Sequence, residues 1–277
     1  MDRHHPVSWV NGEPAAEIRL SDRGLAYGDG VFETIRVQAG VPTLFELHCK
    51  RLCSGISMLD IPFDLDSFKN EVSDFLHKQK LKEGVLKAIV TRGSGGRGYN
   101  PEGCDRPSQI LSFHPLPVYP GDPAIKGIRL HECNIRLGDN ALAGLKHLNR
   151  LENVMARSEW QGTDCLEGLL LGMDDRLVEG TMSNLFLVSG KTLRTPCLGK
   201  SGVKGVCREL ILEQAHQWGF QVETGDYHWQ DLAGANEVFV CNSVNGVWPV
   251  IACGRWHWSV GSVTGIVRDR VQEVLNA

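Results

Sequence analysis

The stretch Pro115-Leu116-Pro117-Val118-Tyr119-Pro120-Gly121-Asp122-Pro123 constrains this chain more than any other. Its four prolines remove backbone donors and fix φ, so neither a helix nor a central strand can run through it. Such a run is a stiff, extended connector. It divides the 277 residues into an N-terminal part, 1–114, a linker, 115–124, and a larger C-terminal part, 125–277. A chain near this size buries roughly 75% of its extended surface, so it needs no disulfide or metal staples.

Before the linker, Val7–Asn11 reads as a strand ending at Asn11-Gly12, a hairpin turn signal. Val31–Val37 is a second strand, rich in β-branched residues. Leu47, Leu52, Ile56 and Leu59 fall near helical spacing and predict a helix over Glu46–Leu59. A further helix carries Leu65, Phe68, Val72, Phe75 and Leu76 on one face, with Asp64 as its N-cap. Strands follow at 85–91 and 109–113. Beyond the linker, strands are expected at 127–132, 166–171, 184–188, 237–241 and 247–251, and helices at about 148–160, 206–218 and 263–275. The two kinds of element are mixed without regular βαβ alternation, which predicts an α+β fold and not a doubly wound sheet.

The formal net charge of -4 gives no reason to expect nucleic acid or an anionic membrane as a partner. No window approaches ~18 uninterrupted apolar residues, so no membrane span is expected. Nine scattered cysteines, an odd number in a large chain, read as reduced thiols and not as a disulfide framework. With no apolar run at the N-terminus, the expected compartment is the cytoplasm. His4-His5 reads as a solvated terminus.

Several motif fragments fail on context. Gly93-Ser94-Gly95-Gly96-Arg97-Gly98 spells G-x-G-x-x-G, but Tyr99-Asn100-Pro101-Glu102-Gly103 cannot continue as the helix a dinucleotide site needs. A mobile glycine loop that presents Arg97 is the better reading. Gly199-Lys200-Ser201 resembles the end of a phosphate-binding loop, but Arg194 stands where its first glycine belongs. His48, Cys49 and Cys53 could share a helical face as metal ligands; without a second cluster they read as buried thiols, and no metal is expected. A Ser-containing G-x-S-x-G elbow is absent.

Five separated segments, in order, resemble the fold-type IV pyridoxal-phosphate enzymes, the family of the branched-chain and D-amino-acid aminotransferases. They are Leu25–Arg36, His48–Leu52, Gly144–Lys146, Leu177–Phe186 and Gly202–Arg208. Two more, Arg92–Tyr99 and Lys146-His147-Leu148-Asn149-Arg150-Leu151-Glu152, resemble a lyase branch of that family. The resemblance implies a two-domain fold and pyridoxal 5'-phosphate as cofactor. It implies a homodimer, with the cofactor between the domains near the subunit interface. For the lyase branch it implies conversion of aminodeoxychorismate (4-amino-4-deoxychorismate) to 4-aminobenzoate and pyruvate in folate synthesis. An aminotransferase on the same scaffold is the alternative.

By the same resemblance Lys146 is the Schiff-base lysine and Glu179 the carboxylate that faces the pyridine nitrogen, keeping the ring an electron sink. Arg51 is the phosphate arginine, with Ser243 as a phosphate hydroxyl. No physical rule marks Lys146, which otherwise reads as a surface lysine at a helix start; Arg51 could equally lie on a solvated helix face, and Glu179 and Ser243 in turns. Val206 and Cys207 have an independent argument. They follow Gly205 at a predicted helix N-terminus, where free N–H groups bind anions. For the two substrate carboxylates, Arg97 is the first candidate, with Tyr99, Tyr27 and Arg36 behind it. No role is assigned to His147, Asn149 or Arg150.

Overall fold

The structure, a computed structural model, describes residues 7–277, and the His4-His5 pair lies outside them. It resolves into two compact units. One takes the chain up to Pro117 together with Leu145–Asn149, and the other comprises Val118–Gly144 and Arg150–Asn276.

The first unit holds β1 (Val7–Val10), β2 (Glu13–Pro14), α1 (Arg23–Tyr27), β3 (Gly30–Gln38), β4 (Val41–Pro42), α2 (Phe45–Met58), α3 (Leu65–Lys78), β5 (Gly84–Thr91) and β6 (Ser108–His114). Its sheet has the order β2-β1-β6-β5-β3-β4, and every neighbouring pair is antiparallel. Asn11 and Gly12 both take positive φ, as the two-residue turn between β1 and β2 requires. Asp64 caps α3, its carboxylate accepting from the N–H groups of Asp66 (3.0 Å) and Ser67 (3.3 Å). The core joins Val31, Ile35 and Val37 of β3 to Leu52 and Ile56 of α2 and to Phe68, Val72 and Phe75 of α3. Burial of each such side chain stabilises the unit by about 1.5–3 kcal/mol.

The second unit holds α4 (Pro123–Lys126), β7 (Ile128–Leu137), α5 (Leu151–Ser158), β8 (Glu167–Gly172), β9 (Leu177–Gly180), β10 (Asn184–Ser189), β11 (Thr192–Pro196), α6 (Val206–Gln214), β12 (Gln221–Gly225), α7 (Trp229–Gly234), β13 (Glu237–Asn242), β14 (Gly246–Cys253), β15 (Trp256–His257) and α8 (Ser262–Leu275). Its sheet runs β12-β11-β10-β13-β14-β7-β8-β9, with β15 on β14. Three pairings are parallel (β11–β12, β14–β7 and β7–β8) and the rest antiparallel. This is the mixed sheet of an α+β fold. Strands β8, β9 and β10 are buried almost throughout, so they read as continuous apolar runs.

Two expected helices come out shorter. α5 begins at Leu151 and not near 148, because the Leu148 N–H is given to Gly30 O (3.0 Å). α6 ends at Gln214, and the chain turns on to Gly219, which takes positive φ. The proline-rich segment is not irregular throughout: its last proline, Pro123, starts α4, at a position where no N–H is needed. None of the described helices is long and apolar enough to cross a membrane.

Candidate active-site residues

Lys146 is placed by backbone pairing onto β3. Phe32 N–H donates to Lys146 O (2.9 Å), Leu148 N–H donates to Gly30 O (3.0 Å), and Val31 bridges His147 between them. The half-buried Lys146 side chain brings its Nζ to 4.4 Å from the centre of the Phe32 ring. The aromatic face holds an amine there through its quadrupole.

Strand alternation puts Glu33 on the same face as Val31, Ile35 and Val37, the face that packs on α2. A buried carboxylate there must be paired. Arg51 of α2 supplies its fork, Nε to Oε1 at 2.8 Å and Nη2 to Oε2 at 2.5 Å, and His48 Nδ1 lies 2.6 Å from Oε2. Burial alone would raise the Glu33 carboxyl; Arg51 first, then His48, outweigh it and hold the group at about 2. Burial pushes His48 below its ordinary value against the opposing pull of Glu33, and its Nδ1 is the ring nitrogen that faces the Glu33 carboxylate. Arg51 is therefore an oriented group and not a solvated helix residue. Cys49 beside it is a buried thiol pushed up to about 12, in keeping with an inert core residue.

Arg23, 3% exposed, organises the glycine loop. Its Nε donates to Asp29 (2.9 Å), Nη1 to Gly98 O (2.9 Å) and Nη2 to Tyr99 O (3.0 Å), while the guanidinium lies 4.9 Å from the Tyr27 ring centre. Tyr27 OH accepts from Gly98 N–H (3.1 Å), and the Tyr27 and Tyr99 rings stand 5.5 Å apart. The loop is thus tied at 98–99, while Arg97 and Tyr99 face solvent. No helix follows β5, so the G-x-G-x-x-G letters are not a dinucleotide site. Arg36 stands apart on β3, half-buried, with Nη2 3.3 Å from Gln38 Oε1.

In the second unit Glu179, 4% exposed, lies near the end of β9. Its Oε2 accepts from Asn184 Nδ2 (3.1 Å) and Val203 N–H (3.0 Å), and Asn184 Nδ2 also donates to Val203 O (2.9 Å). Burial pushes Arg150, the residue before α5, below its ordinary value, against the smaller opposing pulls of Glu179 and then Glu152. Gly205 precedes α6 without a side-chain cap bond, leaving the Val206 and Cys207 N–H groups at an uncapped helix N-terminus. A Cβ at Gly205 would collide with Asn184 Oδ1, so the approach of the two segments requires glycine. The free Cys207 thiol is hydrogen-bonded with that of Cys241, and that hydrogen bond, then burial, push it well up; Cys207 can offer its N–H but not a thiolate. Asn184 pairs with Cys241 across β10 and β13, and Ser243 follows in the turn where Asn242 Oδ1 accepts from Val244 N–H (3.0 Å) and Asn245 N–H (2.8 Å). Glu179, Val206, Cys207 and Ser243 are thereby linked through Asn184 and Cys241.

Sequence reasoning missed Glu33, His48 and Arg23 as partners, and Asn184 and Glu167 altogether. The available signal was a charged residue at a position whose periodicity called for an apolar one: Glu33 in β3, and Glu167 at the head of Leu169-Leu170-Leu171.

The family model described as amino-transferase class IV matches residues 30–253. The chain is 36% identical to an aminodeoxychorismate lyase of Vibrio harveyi, over 97% of this chain and 99% of that one. Its structure superposes on a solved 4-amino-4-deoxychorismate lyase of Pseudomonas aeruginosa with a TM-score of 0.94, at 46% identity, covering 98% of this chain and 100% of that one. A T.th. branched-chain amino acid aminotransferase, solved with pyridoxamine 5'-phosphate, shares the fold at a TM-score of 0.86, with 23% identity over 98% of this chain and 94% of that one.

Proposed function

The chain belongs to the amino-transferase class IV family, and on that premise we propose that it is a pyridoxal-phosphate-dependent lyase converting 4-amino-4-deoxychorismate to 4-aminobenzoate and pyruvate, a step of folate synthesis. The observation that carries this reading is the likeness to two lyases over essentially the whole of both chains.

The donor set suits the cofactor. A buried carboxylate, a paired arginine fork, an uncapped helix N-terminus and a half-buried lysine amine match a protonated ring nitrogen, a phosphate and an aldehyde. Lys146 would anchor it covalently and Glu179 would face the ring nitrogen. Arg51, the N–H groups of Val206 and Cys207, and the Ser243 hydroxyl would take the phosphate. When bound, pyridoxal phosphate supplies an electron sink for the charge left when a proton leaves the carbon beside the substrate nitrogen.

The chain's own work is proton transfer and positioning. With the cofactor bound, Lys146 Nζ would be the base that takes the proton from the carbon bearing the substrate amine. The ring carbon–oxygen bond then breaks, the ring becomes aromatic, and enolpyruvate leaves and is protonated to pyruvate. Arg97 takes a substrate carboxylate, with Tyr99, Tyr27 and Arg36 as further donors. Glu179, oriented by Asn184 and the Val203 N–H, holds its proton partner in place throughout.

The active form is a homodimer in the cytoplasm. The exposed apolar face of α5, Leu151, Val154 and Met155, supports a covered surface, and the free cysteines support a reducing compartment.

Supplying aminodeoxychorismate to the purified holoenzyme should yield 4-aminobenzoate and pyruvate in equal amounts, and Lys146→Ala should abolish both while leaving the protein folded. Faster turnover of D-alanine with 2-oxoglutarate would overturn the lyase reading in favour of an aminotransferase.

A further inference from the structure

Glu167 opens β8, a strand buried along its whole length, and is itself 1% exposed. Among the described residues it makes no ion pair, yet its carboxylate accepts from five donors. Oε1 takes Gly168 N–H (2.8 Å), Thr181 N–H (2.9 Å) and Thr181 Oγ1 (2.6 Å); Oε2 takes Met182 N–H (3.2 Å) and Ser183 Oγ (2.7 Å). A carboxylate has about four lone-pair sites, so this one is saturated.

Four of the five donors belong to the link Gly180–Ser183 between β9 and β10. The link is a tight turn, closed by Gly180 N–H to Ser183 O at 2.7 Å. Asn153 of α5 holds its outer side, donating to Thr181 O at 2.9 Å. A Cβ on Gly180 would collide with Ser183 Oγ and crowd the Glu167 carboxyl, so the turn is wrapped directly on that group. At its ends stand Glu179 and Asn184, which bond each other.

Sheet pairing does not fix this geometry alone. The β8–β9 ladder slips between Leu170, which faces Glu179, and Leu171, which faces Leu177. The slip re-aims the strand next to Glu179, as a bulge does. The turn on the other side of Glu179 must then supply the constraint that the ladder lacks.

We propose that Glu167 is a positioning residue for Glu179, acting by gathering the N–H and hydroxyl groups of the Gly180–Ser183 turn onto one buried carboxylate. The inference rests on the reading that Glu179 faces the cofactor's ring nitrogen. A neutral amide of the same shape cannot replace Glu167, because its NH2 would meet the Met182 N–H, donor against donor.

The test compares the cofactor-loaded wild type with Glu167→Gln, Thr181→Val and Glu179→Gln. It reads the pH dependence of the bound cofactor's visible absorption, the cofactor dissociation constant, and kcat against KM. Glu167→Gln should shift the absorption titration in the same direction as Glu179→Gln. It should weaken cofactor binding roughly tenfold, the scale of one lost charge-assisted hydrogen bond, and lower kcat with KM little changed. Thr181→Val, which removes one donor and keeps the shape, should move the same quantities less; it serves as the test if Glu167→Gln does not fold. A variant with a lowered Tm but a wild-type titration and cofactor affinity would mark Glu167 as merely structural and overturn the proposal. If Glu179→Gln itself leaves the titration unchanged, the placement of Glu179 is what fails, and the proposal falls with it.

Discussion

Glu33 occupies a position where strand alternation demands an apolar side chain, and its charge survives there because Arg51 and His48 meet both oxygens. Its folded value of about 2 lies below the ordinary 4.5. A depressed carboxylate contributes stability that is fully present above its unfolded value and is lost as pH falls through the folded one. Glu33→Gln should therefore cost several kcal/mol near neutral pH, roughly 3–5 for breaking a buried pair on one side. The Tm gap between wild type and variant should narrow as pH falls from about 5 toward 2. A gap that stays constant over that window would show that the pair does not contribute through its charge. Lys146 illustrates the opposite case for sequence reading. Nothing in its local pattern distinguishes it, since what places it is hydrogen bonding to a strand more than a hundred residues earlier in the chain.

At the scale of elements, burial explains only part of what is legible, since β9 and β11 are mostly buried and yet no strand is expected there. β3, β5, β10, β13 and β14 were readable because buried β-branched and apolar residues mark them. β12 was not, since it lies at the sheet edge with mostly exposed residues and shows no alternation. α1, α4 and α7 are too short to display a period. α5 starts later than local propensity predicts, because pairing with β3 claims the residues before it. The glycine loop shows how an element can be irregular and still anchored. Arg23→Lys keeps the charge but loses the planar fork that reaches both Gly98 O and Tyr99 O. Amide hydrogen exchange across residues 95–103 should then speed up about tenfold, equivalent to about 1.4 kcal/mol of lost protection, with β3 and β5 unchanged. Equal exchange in both proteins would mean that the loop is held by other contacts.

At the scale of the whole molecule, a buried face and an exposed face of one helix carry different information. α5 turns Ala156 into the core, and Asn153 reaches Thr181 O, so that side of the helix is accounted for. Its other side shows Leu151 at 70% exposure, Val154 at 63% and Met155 at 48%, spaced as one stripe. Scattered apolar residues are ordinary on a surface, but a helical stripe of three is the pattern of a face that another surface covers. The proposed dimer accounts for it without invoking any other partner. Replacing Val154 with Asp puts a charge in the middle of that stripe and touches none of the residues assigned to cofactor or substrate. An interface that buries the stripe should lose roughly 2–4 kcal/mol of association to one uncompensated buried charge, enough to raise the dimer dissociation constant by one to three powers of ten. Sedimentation at micromolar concentration should then show the variant moving from the mass of a pair of 30.6 kDa chains toward that of one. A Val154→Asp protein that sediments as a dimer with wild-type affinity would place the interface elsewhere and leave the stripe without a function.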